Sequence, residues 1–306
     1  MESTRMNPKQ VGRYIIDSVI GKSNSGRVYR AFQKDTQKIV AIKEVRLDRV
    51  DPNLKSKTSE MAQKEARLLL KLNHPNIVRL LNFYEDESHY YLVLEFCPHG
   101  NLEDFISNNF PENKVPEHEA RRFAQQIFAG VRIMYENKIV HRDIRLENIL
   151  LGEDYTAKLS DFGFGRFLEA GIMSTITGSV STMAPEIRRG VNYDEKCDIW
   201  SLGLVLYRML FGGLPFADSV QSRGDILKLV SNPNWLDFPW RPPTSDAIKS
   251  LISNMLKSDP KERISYKELF EHPWITGVAE IPRNFDLGNR SFEISGLKKI
   301  FTNAGF

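Results

Sequence analysis

His141-Arg142-Asp143-Ile144-Arg145-Leu146-Glu147-Asn148, followed downstream by Asp161-Phe162-Gly163, is the stretch on which the reading of this chain turns. It sets a carboxylate and an amide five residues apart, and then a second carboxylate just before a glycine. Such a set can serve phosphoryl transfer: one acid holds the hydroxyl that attacks, while the amide and the other acid hold magnesium on a nucleotide.

Upstream of this stretch the texture is that of strands. Residues 14–20, 27–32, 39–45, 77–83 and 90–96 are short apolar or alternating runs separated by turn residues. One segment breaks the pattern: residues 59–72 carry Met61, Leu68, Leu69 and Leu72 among charges, the spacing of an amphipathic helix, and His74-Pro75 closes it. After Gly100 the pattern turns helical, with helices predicted over 117–137, 199–211, 247–256 and 261–276. A small strand-rich lobe followed by a larger helical lobe is the expected consequence.

Composition sets the bounds. The chain has 306 residues, 41% hydrophobic and 26% charged, with a formal net charge of +3, as in an ordinary globular protein. So small a charge argues against a dedicated nucleic-acid binder. Two cysteines, Cys97 and Cys197, cannot build a secreted disulfide framework, which points to an intracellular setting, cytoplasmic or nuclear. The most apolar run, 199–216, is interrupted by Arg208 and three glycines, so no membrane span is expected.

Two further motifs carry chemistry. Gly21-Lys22-Ser23-Asn24-Ser25-Gly26-Arg27-Val28 lies between two predicted strands and suits a hairpin whose backbone amides approach phosphates. By itself it is equally an ordinary turn. A P-loop reading fails, because the required first glycine falls at Ile16 and no helix follows. Ala41-Ile42-Lys43 ends a predicted strand, and a lysine there can bind phosphates if a carboxylate such as Glu65 holds it.

In this order the motifs resemble those of the eukaryotic protein kinases, serine/threonine type, over about residues 13–275. The resemblance implies an α+β, bilobal kinase fold. A small five-stranded β lobe with one regulatory helix (13–96) and a larger helical lobe (97–275) would enclose a nucleotide cleft. A polar tail (1–12) and an extension of unassigned role (276–306) would flank it. The contexts His74-Pro75-Asn76-Ile77-Val78 and Gln125-Gln126-Ile127 are similar to both the calcium/calmodulin-dependent group and the unc-51-like autophagy kinases.

The resemblance also implies roles. Asp143 would be base and orienter of the hydroxyl, Arg145 the cation near the transferred group, and Lys43 with Glu65 the phosphate-binding ion pair. Asn148 and Asp161 would hold Mg2+. ATP would lie against Ile20, Gly21, Ser23, Gly26, Val28, Ala41, Lys43, Leu94, Glu95, Cys97 and Leu150, with the backbone of Glu95 and Cys97 reading the adenine. His141 would be structural, in a column with Phe162, Leu69 and Leu80. Ser174, Thr175 and Thr177 are the candidate phosphosites, placed to pair with Arg142 and Arg166 after phosphorylation by an upstream kinase or by the chain itself. Glu186 would pair with Arg263, and Asp198 would anchor the catalytic-loop backbone.

The chain departs from the family pattern at Ser23 (usually glycine), Arg145 (usually lysine), Leu146 (usually proline) and Thr182 (commonly tyrosine). Glu147 and the Gly178-Ser179 segment favour serine/threonine over tyrosine as acceptor, so protein substrates are the expected partners. Asn101 stands where basophilic kinases often place a glutamate, while Glu147 remains able to attract a basic residue. A pseudokinase scaffold with weak or no transfer is the alternative, separated by ATP turnover.

Overall fold

Alternation of branched and aromatic residues with charges builds an antiparallel sheet at the N-terminal end, because side chains on a strand point alternately to its two faces. In the computed structural model, which describes residues 9–278 apart from 24–25, 49, 169–172, 174–181, 217–222 and 233, this sheet has six strands. They are β1 (Gln10–Val11), β2 (Tyr14–Ser23), β3 (Gly26–Gln33), β4 (Ile39–Arg46), β5 (Leu80–Glu85) and β6 (His89–Glu95), in the order β1-β2-β3-β4-β6-β5. The sixth strand corrects the expected five. Gln10 and Val11, read from the sequence as polar tail, pair with Ile15 and Tyr14 across a turn in which Gly12 takes a φ of +52°. Only Val11 in that segment offers an apolar side chain, and its burial depends on a partner the local sequence does not show.

Helix α1 (Lys55–Lys71) runs from β4 toward β5 and lays Ala62, Glu65, Ala66, Leu68 and Leu69 against the sheet. Met61, counted in the apolar stripe, is exposed instead. The strand expected at 77–83 begins three residues later. Ile77 and Val78 pair with the far lobe, Val78 N–H donating to the Leu159 carbonyl at 2.9 Å. Both faces of the sheet carry buried side chains. Val11, Tyr14, Ala31, Val40, Ile42, Tyr91 and Val93 form a small outer cluster, while the inner face joins a core continuous with the second lobe.

The second lobe is mainly helical: α2 (Leu102–Asn109), α3 (Glu117–Glu136), α4 (Pro185–Arg189), α5 (Lys196–Phe211), α6 (Arg223–Leu229), α7 (Asp246–Met255), α8 (Tyr266–Glu271) and α9 (Pro273–Thr276). α5 is buried almost all round, which explains why its sequence is the most apolar run of the chain. The helix predicted over 261–276 is in fact two. Ser265 caps α8 in a reciprocal box with Glu268, and Pro273, which has no N–H to donate, forces a new start at α9. Among the described residues no helix is long and apolar enough to cross a membrane.

Two small hairpin-like pairs position the site. Strand β7 (Ile139–Val140) pairs with β10 (Arg166–Phe167), and β8 (Ile149–Leu151) pairs with β9 (Ala157–Leu159). The segment holding Asp143 runs from β7 to β8, and the segment holding Asp161 runs from β9 to β10. Each loop is therefore pinned at both ends by the same four strands.

Candidate active site

Register brings the small-lobe residues to one face. Val28 stands opposite Lys43 and Ala41 opposite Leu94, so these four, with Gly21 opposite Val28, share the inner face of the sheet. The Lys43 ammonium donates to Glu65 at 2.7 and 2.9 Å and to Asp161 Oδ1 at 2.7 Å. Glu65 is 4% exposed, and Lys43 is buried as well. Burial alone would lower the lysine pKa, but the two carboxylates outweigh it and hold the ammonium above its ordinary value. Asp161 is held below the ordinary carboxylate range, first by the Lys43 charge. Its backbone is left-handed, φ +57°, a conformation a non-glycine residue adopts only under constraint.

The catalytic loop is held from beneath. Asp198, fully buried on α5, accepts the backbone N–H groups of His141 at 2.7 Å and Arg142 at 2.8 Å. Burial pushes its carboxyl upward, against these two donors. Arg142 is also left-handed, φ +68°. His141 donates through Nε2 to the Ser160 carbonyl at 2.9 Å and lies 4.7 Å from the Phe162 ring. Leu69, Leu80 and Phe162 are buried in one cluster. Asp143 is 6% exposed, and the Asn148 amide donates both to its carbonyl at 2.9 Å and to its carboxylate at 2.8 Å. Asn148 Oδ1 takes no hydrogen bond among the described residues, and Lys43 uses only one carboxylate oxygen of Asp161. Two hard oxygen donors are thus available together, the chemistry that suits magnesium.

Arg145 does something its type alone did not reveal. Its guanidinium donates to Glu147 through Nε at 2.9 Å and Nη2 at 2.5 Å, a two-pronged clamp across an extended loop. Beside it Arg208 grips Glu103 in the same bidentate way, through Nε at 2.7 Å and Nη2. Asn101 caps α2, accepting the Asp104 N–H at 2.8 Å. Glu147, expected to be able to attract a basic residue, thus already holds Arg145, as Glu103 holds Arg208. Arg145→Lys is expected to loosen the clamp and raise the preference for peptides with a basic residue near the acceptor. Since exposed pairs are worth ~0–1 kcal/mol, the rise on paired peptides should stay within about fivefold.

The glycine-rich hairpin and the hinge complete the cleft. Ser23 pairs with Gly26 where β2 turns into β3, while residues 24–25 lie outside the described residues, as does the Ser23 side chain. A Cβ on Gly21 would meet Val28 at an ordinary 3.7 Å, but one on Gly26 would fall 1.9 Å from the Glu44 carbonyl oxygen. Gly26→Ala should therefore force β3 off β4 and weaken Mg-ADP binding by at least tenfold, whereas Gly21→Ala should change it by less than about threefold. Calorimetric titration of both variants checks the contrast. At the hinge, the Cys97 N–H has no partner among the described residues. Its thiol is pushed up to about 12, chiefly by burial. Glu95 spends its carboxylate on the Arg79 N–H at 2.8 Å and on Lys158 at 3.2 Å. Ile20 is 47% exposed, and Leu150 is half-buried beside Asn101.

Ser174, Thr175 and Thr177 lie outside the described residues, as does Ser179. Arg142, their expected partner, donates from Nε and Nη2 to the Phe164 carbonyl and from Nη1 to the Tyr193 hydroxyl at 3.1 Å. Arg166 is exposed. Tyr193 was not singled out by the sequence, yet its backbone also exchanges two hydrogen bonds with Met173, at 2.7 and 2.8 Å. No local signal marks it. Farther on, Glu186 and Arg263 form the expected pair, at 2.7 and 2.9 Å, both nearly inaccessible.

Comparison with known proteins agrees with this geometry. Residues 14–275 match the protein kinase domain. The chain is 35% identical over 272 residues to serine/threonine-protein kinase ATG1c of Arabidopsis thaliana, covering 87% of this chain and 36% of that protein. It is 33% identical over 285 residues to human serine/threonine-protein kinase ULK3, covering 92% and 58%. Mouse calcium/calmodulin-dependent protein kinase type IV matches at 33% over 268 residues, covering 86% and 55%. The chain thus spans between about a third and three-fifths of these relatives' lengths. Both branches suggested by the sequence are represented among them, and the chain belongs to the protein kinase family, serine/threonine type.

Proposed function

We propose that the chain transfers the γ-phosphoryl group of Mg-ATP to serine and threonine hydroxyls of protein substrates. The observation that carries this reading is the Lys43 ammonium, held between Glu65 of α1 and Asp161 of the loop after β9. Three elements converge on one buried charge, and a fold kept only as a scaffold has no need of that cost.

Mg-ATP, when bound, would supply the phosphoryl group, and Asn148 and Asp161 would hold its metal. The remaining work belongs to the chain. Lys43, fixed by Glu65, orients the phosphates. Asp143, its carboxylate steadied by Asn148, accepts the proton of the attacking hydroxyl. Arg145, fixed by Glu147, offers a planar cation in place of a compact ammonium. The hinge N–H of Cys97 supports adenine recognition by the backbone.

Control by a phosphate on Ser174, Thr175 or Thr177 is part of the proposal. Such a phosphate would compete with the Phe164 carbonyl and Tyr193 hydroxyl for Arg142, both of them neutral partners and weaker ones. The two cysteines, free and buried, support an intracellular site of action. Transfer of labelled γ-phosphate to a generic protein substrate, followed by phosphoamino-acid analysis, tests the whole. Label on serine and threonine that requires magnesium is the expected result. Nucleotide binding without transfer would move the reading to a scaffold.

A further inference from the structure

Glu44 follows Lys43 on β4 and so points to the opposite, outer face of the sheet, where its carboxylate is completely buried. A lone carboxylate in such a place is costly unless a cation meets it. The Lys9 ammonium does so, bonding to Glu44 Oε1, with the Tyr91 and Tyr29 rings 5.3 and 5.7 Å away. The Tyr29 hydroxyl donates to Glu44 Oε2 at 3.0 Å. His89 Nε2 lies 3.9 Å away on β6, with Asp86 on its other nitrogen, and Arg46 acts from farther along β4. Lys9 is itself tied down, since its carbonyl accepts the Ile16 N–H at 2.9 Å just ahead of β1. The Glu44 carboxyl sits below its ordinary range, the Lys9 and Tyr29 hydrogen bonds outweighing burial.

The backbone of Glu44 has two neighbours that matter. Lys43 is bonded to it in the chain, and Gly26 rests directly on its carbonyl. We propose that Lys9 is a positioning residue for nucleotide binding: by neutralising Glu44 it seats the part of β4 that carries Lys43 and supports Gly26. This rests on the reading of Lys43 and Gly26 as parts of the nucleotide site.

The test uses the full chain with Mg-ADP as probe, titrated calorimetrically, with melting temperatures read alongside. Lys9→Met should raise the dissociation constant by roughly 3–10-fold, because only part of the population keeps β4 seated. It should also lower the melting temperature by about 5–10 °C. Lys9→Arg should restore both.

Lys9→Met/Glu44→Gln, which removes both charges of the pair, should recover most of the affinity. If Lys9→Met yields no folded protein, this double variant decides alone: recovered folding and affinity support the proposal, and their absence overturns it. Parent-like affinity and melting of Lys9→Met overturn it as well. Failure of the parent itself to bind Mg-ADP would instead count against the nucleotide site.

Discussion

Asparagine in place of Asp143 is expected to cut phosphoryl transfer by ~10²–10⁴, the usual worth of a positioned acid–base group. The change removes a proton acceptor while keeping the shape. The Asp143 backbone would still donate to His141 Nδ1 at 3.3 Å and accept from Asn148 at 2.9 Å. An amide oxygen could still take the second Asn148 bond. The bonds from Lys43 to Glu65 and Asp161 would be kept. The loss should therefore fall on kcat, with Mg-ADP affinity and melting temperature near those of the parent. A variant that transfers at the parental rate would remove Asp143 from the base role. One that loses nucleotide affinity in step with rate would show that the loop had merely collapsed. Lys43→Met is the useful contrast, because it should weaken nucleotide binding directly.

The fold was legible where periodicity and turn chemistry agreed. The strands near 14–20, 27–32, 39–45 and 90–96, and α1, α3, α5 and α7, are set by local alternation, helical spacing and breakers such as Pro75. The misses share a cause. Gln10–Val11 is a strand only because β2 folds back on it, and Ile77–Val78 leaves the sheet only because Leu159 competes for its backbone. A pattern confined to neighbouring residues contains neither partner. Pro273, by contrast, was visible, and the continuous helix over 261–276 neglected both its missing N–H and the Ser265–Glu268 box.

The site divides in the same way. Lys43, Glu65, Asp143, Asn148 and Asp161 are recognisable through their spacing within the family pattern, and the fold brings them together. What each side chain is paired with was not legible. The Arg145–Glu147 clamp depends on an extended backbone at Arg145, and Tyr193 reaches Arg142 from far along the chain. Glu44 is an ordinary strand acid in the sequence, and only burial by the outer cluster makes Lys9 matter to it. Charged residues carry the chemistry here, but the fold decides which charges are still available to a substrate.

Arg263→Met is expected to destabilise the protein by about 3–5 kcal/mol, because it strands the Glu186 carboxylate in a site from which water is excluded. Arg263 is inaccessible, grips Glu186 with two prongs, donates to the Lys196 carbonyl at 2.8 Å and the Lys257 carbonyl at 3.1 Å, and lies 5.3 Å from the Trp200 ring. Methionine fills much of the volume and supplies none of the donors. For a chain of this size the loss corresponds to a melting-temperature drop of about 10 °C, measurable by calorimetry. Adding Glu186→Met separates the two parts of the cost. If the buried charge dominates, the double variant recovers most of the loss, since apolar replacement of a buried pair is often nearly neutral. If the backbone carbonyls dominate, the double variant stays as unstable as the single one. Activity reads differently from stability. Glu186 lies at the start of α4, where the segment that begins at Asp161 returns to the large lobe. A double variant that melts like the parent but transfers slowly would assign the pair to holding that segment in its working shape. One that melts and transfers like the parent would reduce the pair to a replaceable prop.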